Sequence, residues 1–204
     1  MNSIEKLTEL FRKFPGIGLR QARRFVYFLL TQDSESLQEL SRLIANLKKE
    51  ISQCEFCYRH FTGGEKQRLC DICADPNTDI SILMVVEKDV DLENVKKTNV
   101  YHGRFFVLGG SLPILVAEPA KKIRAKELID AVSRGVKIGL KEVIVALSVN
   151  PEGENATQYV KKILEPFTQK AGLKVTTLGR GFSTGTEVEY SDTDTLESAL
   201  KNRN

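Results

Sequence analysis

The sequence predicts an α+β chain of several parts: a helical front built as helix–hairpin–helix, a knuckle of four cysteines, an α/β part with a mostly parallel sheet, and a short C-terminal strand and helix. Three observations predict it. Apolar residues recur at helical spacing through roughly the first fifty positions. The only four cysteines form two Cys-x-x-Cys pairs with twelve residues between them. From Asp79 onward, short continuous apolar runs alternate with helical stretches. The parts divide as residues 1–53, 54–78, 79–175 and 176–204.

The first helix is expected over residues 3–13, capped by Ser3, with Ile4, Leu7, Leu10 and Phe11 on one face. Phe14-Pro-Gly-Ile-Gly18 stops it. A second amphipathic helix follows over residues 19–30, with Ala22, Phe25, Val26 and Leu29 inward. Gly16 and Gly18 permit a tight turn and leave backbone N–H groups bare at the start of that helix, a arrangement that binds phosphate oxygens. Arg20 and Arg24, four apart, share a face beside the same phosphate. The chemistry suits a sugar-phosphate backbone and not base reading. The same pattern also fits an ordinary αα-hairpin with a solvated basic face. A third helix is expected over residues 33–51, capped by Asp33 or Ser34, with Leu37, Leu40, Leu43, Ile44 and Leu47 lining one face.

Cys54-Glu-Phe-Cys57 and Cys70-Asp-Ile-Cys73 have the spacing of a four-thiolate zinc site, tetrahedral and closed, hence structural and not catalytic. Two disulfides, or four unrelated buried thiols, would use the same residues. His60 lies within the module and reads as a non-ligand, and Thr62-Gly-Gly64 as a turn.

In the α/β part, residues 81–87, 105–108, 142–147 and 174–178 read as strands. Residues 91–98, 122–133 and 155–170 read as helices. Residues 187–192 make at most a short alternating strand, and Asp194-Thr-Leu-Glu197 is a capping-box start for a last helix. Ligands of parallel sheets bind beyond the carboxyl ends of the strands. Glu87 ends the first strand, and Glu152 and Glu154 follow the third. They could converge on an acidic patch able to hold Mg²⁺, which prefers oxygen ligands, or they could be three solvated loop carboxylates. His102 reads as a packing or surface residue. Gly179-Arg-Gly-Phe-Ser-Thr-Gly-Thr186 is glycine-rich but lacks the Gly-Lys-Ser/Thr ending of a phosphate loop.

Composition agrees with this division. The chain has 204 residues, 41% hydrophobic and 28% charged, enough to bury a core without disulfide staples. No apolar run approaches a membrane span, and the first residues lack the pattern of a signal peptide. With thiols held as a metal site, a reducing cytosol is expected. The net charge is +3. Within residues 1–30, six basic side chains (Lys6, Arg12, Lys13, Arg20, Arg23, Arg24) face two acidic ones (Glu5, Glu9), so the excess lies where a nucleic-acid footprint would be.

The order of parts, together with Phe14-Pro-Gly-Ile-Gly-Leu-Arg-Gln-Ala22, Cys70-Asp-Ile-Cys-Ala-Asp75, Val85-Val-Glu87, Tyr101-His-Gly-Arg104, Val107-Leu-Gly-Gly110, Glu152-Gly-Glu154, Glu187-Val-Glu-Tyr190 and Thr195-Leu-Glu-Ser-Ala-Leu200, resembles the RecR family of bacterial recombination mediators over essentially the whole chain. The resemblance implies a Toprim-like α/β domain and a role in DNA repair with the partners RecO and RecF, loading RecA on single-stranded DNA. It implies a ring-like tetramer, structural Zn²⁺ on Cys54, Cys57, Cys70 and Cys73, and DNA contact through Gly16, Gly18, Arg20 and Arg24. It links Glu87, Glu152 and Glu154 to partner binding, with Mg²⁺ there as the option that metal-using Toprim domains raise. The expected location is cytoplasmic, at the nucleoid, with no membrane and no enzyme activity. The alternative, a Mg²⁺-dependent Toprim enzyme acting on phosphodiester bonds, would want an Asp-x-Asp where Glu-Gly-Glu stands. The chain departs from the family's usual pattern where Asn150-Pro151 abuts Glu152 directly, in Ser111-Leu-Pro-Ile-Leu-Val-Ala117, and at Thr78.

Overall fold

A computed structural model describes residues 1–63, 67–115, 118–179, 181–182 and 185–201. Gly64, Arg180, Ser183 and Thr184, which belong to the expected turn and glycine-rich stretch, lie outside the described residues, as does the side chain of Asp194. The chain divides into two compact units, Met1–Ile51 and Ser52–Asn204.

The first unit holds helices α1 (Ser3–Phe11), α2 (Leu19–Leu30) and α3 (Ser34–Glu50). Asn2, not Ser3, caps α1. Its side chain accepts the Glu5 N–H at 2.9 Å while Glu5 accepts the Asn2 N–H at 3.0 Å, a reciprocal capping box. Thr8, Ala22 and Val26 are buried, and the Phe11 and Phe25 rings meet edge to face at 5.8 Å. Asp33 caps α3 by accepting the Ser36 N–H. The apolar stripe of α3 forms the expected face, but that face is left uncovered. No α3 residue is buried, and Leu40, Leu43, Ile44 and Leu47 are 43%, 46%, 65% and 58% exposed. Helical spacing identifies an apolar face; it does not say what covers it.

From Ile51 the chain forms a two-stranded ribbon, β1 (Ile51–Gln53) and β2 (His60–Thr62), and then a short helix α4 (Asp71–Ala74), with the cysteines in and beside these elements. Then follow β3 (Asp79–Val86), α5 (Asp89–Lys97), β4 (Gly103–Val107), α6 (Pro119–Lys122), α7 (Ala125–Lys137), β5 (Glu142–Ala146), α8 (Pro151–Ala171), β6 (Lys174–Thr177), a 3₁₀ turn (Val188–Tyr190) and α9 (Thr193–Lys201). The 3₁₀ turn occupies the place of the expected short strand. Asp192 caps α9 by accepting the Thr195 N–H, two residues earlier than the Asp194 pattern suggests. The helix expected over 122–133 is α7, starting at Ala125, with a separate short helix, α6, ending at Lys122.

The four larger strands form one parallel sheet in the order β4-β3-β5-β6. Side chains alternate across it. Leu83, Val85, Phe106, Val143 and Val145 enter one core with Leu128, Val132, Val160 and Leu164 of α7 and α8. Met84, Val86, Phe105 and Val107 enter a second core with Leu92 of α5. Both faces are covered, which is why the central strand reads as an unbroken apolar run.

Helix α8 begins at Pro151, four residues earlier than expected, so Glu152 and Glu154 stand in its first turn and not on a loop. Asn150 caps it by accepting the Gly153 N–H at 2.8 Å, with proline at the first helical position. Gly153 is required by space: a Cβ there would lie 2.0 Å from the Ser148 carbonyl oxygen. Gly153→Ala is therefore expected to cost about 1–3 kcal/mol by overpacking, read as a lower urea midpoint. An unchanged midpoint would contradict this close approach.

Candidate nucleic-acid and metal sites

In the hairpin, Gly16 adopts φ +73°, the left-handed conformation that glycine reaches without strain. Gly18 is the N-cap of α2 and offers no side chain to its first N–H groups. A helix start without a side-chain cap keeps those donors for water or an anion. Arg20 and Arg24 are exposed one turn apart, and neither has an ion-pair partner among the described residues. The chemistry available here is a small anion cradle with two cations beside it.

The cysteines are brought together by tight local turns. The Tyr58 N–H donates to the Cys54 carbonyl at 3.0 Å, closing the first pair, and Ala74 N–H donates to the Cys70 carbonyl, closing the second. All four sulfurs lie within 4.8 Å of one another, with Cys57 and Cys70 Sγ 3.6 Å apart. A tetrahedral zinc with bonds of about 2.3 Å holds its sulfurs about 3.8 Å apart, so the donor set and its spacing fit Zn²⁺. Crowding separates the thiols: hydrogen bonds from Cys57, then Cys70 and Cys73, pull Cys54 below its ordinary value, while Cys54, then Cys57 and Cys70, push Cys73 above it. His60 stays outside the cluster, its ring 3.1 Å from the Asp89 carboxylate.

The knuckle is fastened to the sheet. Val107 N–H of β4 donates to the Cys57 carbonyl at 2.8 Å, and the Tyr58 ring meets Phe106 edge-on at 5.4 Å. Buried Arg59 bridges Asp71 and Glu93, each at 3.0 Å, and Lys96 adds a bond to Asp71 at 2.7 Å.

The sheet changes direction between β3 and β5: β4 lies on one side of β3, and the chain then crosses to the other. Glu87 and Ser148 stand just beyond the carboxyl ends of these two strands, the usual ligand position in open α/β sheets. The Glu87 side chain is only 6% exposed. One carboxylate oxygen accepts from Ser148 Oγ at 2.8 Å, and the other lies 2.8 Å from Lys88 Nζ. Burial alone would raise Glu87, but the Lys88 ammonium and the Ser148 hydroxyl outweigh it and hold the carboxyl below its ordinary value.

Glu152 accepts from Ser111 Oγ at 2.9 Å. Glu154 lines a cavity of about 580 Å³ with Asn150, Asp192 and Ser198 of the tail side. The three acids are not brought to one point, for among the described residues only the cysteines gather as a metal-competent group. Mg²⁺ needs several oxygens at about 2.0–2.1 Å, and an ammonium already occupies Glu87, so these residues do not fit it. Lys88, Ser148 and Ser111 escaped the sequence reading. The signal that could have found the first two was their place just past strand ends.

Comparison with known proteins agrees with both parts. The family descriptions "RecR, helix-hairpin-helix" and "Toprim domain" match residues 4–48 and 81–179. Among curated proteins, the chain is similar to three called "Recombination protein RecR". That of Chloroherpeton thalassium is 36% identical over 99% of this chain and 96% of its own length. That of Bacteroides thetaiotaomicron is 36% identical over 98% and 92%, and that of Lactobacillus acidophilus 34% identical over 98% and 96%. Near-complete coverage at this identity, with the hairpin, the four cysteines and the parallel sheet all in place, shows that the chain belongs to the RecR family of recombination proteins.

Proposed function

We propose that this protein is a non-enzymatic DNA-binding scaffold of recombinational repair. In this reading it acts with RecO and RecF to help load RecA at single-stranded gaps, in the cytoplasm at the nucleoid. The observation that carries the reading is the hairpin: a left-handed glycine, a helix start with no side-chain cap, and Arg20 and Arg24 exposed one turn apart. Gly16 and Gly18 let a phosphate approach the backbone closely, and the two guanidiniums neutralise it. These groups recognise charge and spacing, so contact is independent of sequence.

A ring-like homotetramer is part of the proposal. The uncovered stripe of Leu40, Leu43, Ile44 and Leu47 supports it, because contiguous exposed apolar surface of this kind marks an association site. Cys54, Cys57, Cys70 and Cys73 would hold one Zn²⁺, which supplies the positive charge that lets four thiolates share a buried volume. Exposed Glu152 would face a protein partner from the carboxyl end of the sheet, with buried Glu87 behind the Lys88 ammonium as part of the same partner-binding patch and Glu154 turned to the tail. The reading as a Mg²⁺-dependent Toprim enzyme gains nothing from this geometry, since the acids it needs are each engaged elsewhere. No helix among the described residues is long and apolar enough to cross a membrane.

Two outcomes are expected. Arg20→Ala with Arg24→Ala weakens DNA binding about equally for all sequences and lowers the slope of log affinity against log salt by about 1.4–1.8; parent-like binding by the double variant would show that the hairpin is not the DNA surface. Cys57→Ser takes bound zinc from one per chain to well below one and lowers Tm by roughly 6–12 °C, taking about 3 kcal/mol at 2–4 °C each. Unchanged zinc content would remove Cys57 from the ligand set.

A further inference from the structure

We propose that Lys88 is a built-in cation: its ammonium pairs the buried Glu87 carboxylate and stands where a divalent metal would have to sit to use that acid. A carboxylate as buried as Glu87 cannot stand unpaired. Its oxygens have two partners, Ser148 Oγ and Lys88 Nζ, each at 2.8 Å.

The backbone fixes the lysine where it is needed. Lys88 is the N-cap of α5, and its N–H donates to the Asp91 carboxylate at 2.9 Å. The Lys88 backbone is thereby pinned at the mouth of the site, and its side chain, 66% exposed, reaches back to Glu87. Glu87, then Asp91 and Glu152, raise the Lys88 ammonium above its ordinary value, so one positive charge serves acids from both acidic segments. Ser111 holds the Glu152 carboxylate at 2.9 Å. A dication entering here would have to displace the ammonium, strip Ser148 and Ser111 of their acceptors, and still find further oxygens for its coordination sphere.

The consequence is a surface whose charges are set by side chains and not by metal supply. A partner docking on it meets the same electrostatic face with or without free Mg²⁺.

The test uses the full-length, zinc-loaded protein and Mn²⁺ as probe, with free Mn²⁺ followed by its EPR signal. The parent is expected to take up no stoichiometric Mn²⁺ up to about 1 mM, the range of weak oxygen-ligand sites. Lys88→Ala is expected to bind Mn²⁺ weakly but at least about tenfold more tightly than the parent, through Glu87 with water completing the coordination sphere, and Lys88→Ala with Glu87→Gln to lose that gain. Lys88→Met, which keeps the aliphatic stem, controls for folding and should show the same gain. Stoichiometric Mn²⁺ on the parent that Glu87→Gln removes would overturn the proposal. So would folded Lys88→Ala and Lys88→Met variants that bind no more Mn²⁺ than the parent.

Discussion

Four buried sulfurs within 4.8 Å of one another are the constraint on which the body from Ser52 onward depends. As thiolates they repel at short range in a volume without water, and only a cation at their centre reverses the sign of that interaction. Among the described residues the knuckle's own core adds Phe61, with Phe56 and Ile72 packed alongside. What the metal would fix is then passed on. Cys57 offers its carbonyl to Val107 at the edge of the sheet, Tyr58 lies on Phe106, and Arg59 ties α4 to α5. The knuckle thus bonds the open side of β4 at Val107, where an unpaired edge could otherwise pair with another chain.

The acidic end of the sheet follows a related rule with a different cation. Glu87 is buried at the switch between β3 and β5, and its charge is balanced by a lysine and a serine of the same chain. Glu152 and Glu154 have a local reason to be where they are, because acids in a first helical turn complement the helix dipole and Gly153 between them admits the Ser148 carbonyl. The Glu-Gly-Glu motif is therefore at once a helix start and part of an outward-facing acidic surface. Neither role calls on catalysis.

Much of this was legible in the sequence, and the reason differs by element. The cysteines were legible because metal chemistry demands a spacing, and the hairpin because proline and glycine punctuate a helical period at one place. The parallel sheet was legible because its strands, buried on both faces, read as apolar runs. The start of α8 is written in Asn150-Pro151, a cap followed by a proline at the first turn, although the acids' place after a strand pointed to a loop. The stripe of α3 was legible as a face, yet its exposure depends on what lies against it, which periodicity does not encode. Lys88, Ser148 and Ser111 were not legible as a site at all. Their distances from Glu87 and Glu152 exist only once β5 has crossed to the far side of β3.

The claim at the centre of this account is that the cysteine cluster stabilises the sheet edge as well as its own loop. Amide hydrogen exchange on the zinc-loaded protein, before and after removal of the metal by a chelator, tests it most directly. The account predicts that protection is lost together in the knuckle, in Phe105–Val107 of β4 and around Leu92 of α5, since these share the Cys57, Tyr58 and Arg59 contacts. Loss confined to residues 54–74, with β4 and α5 as protected as before, would contradict it.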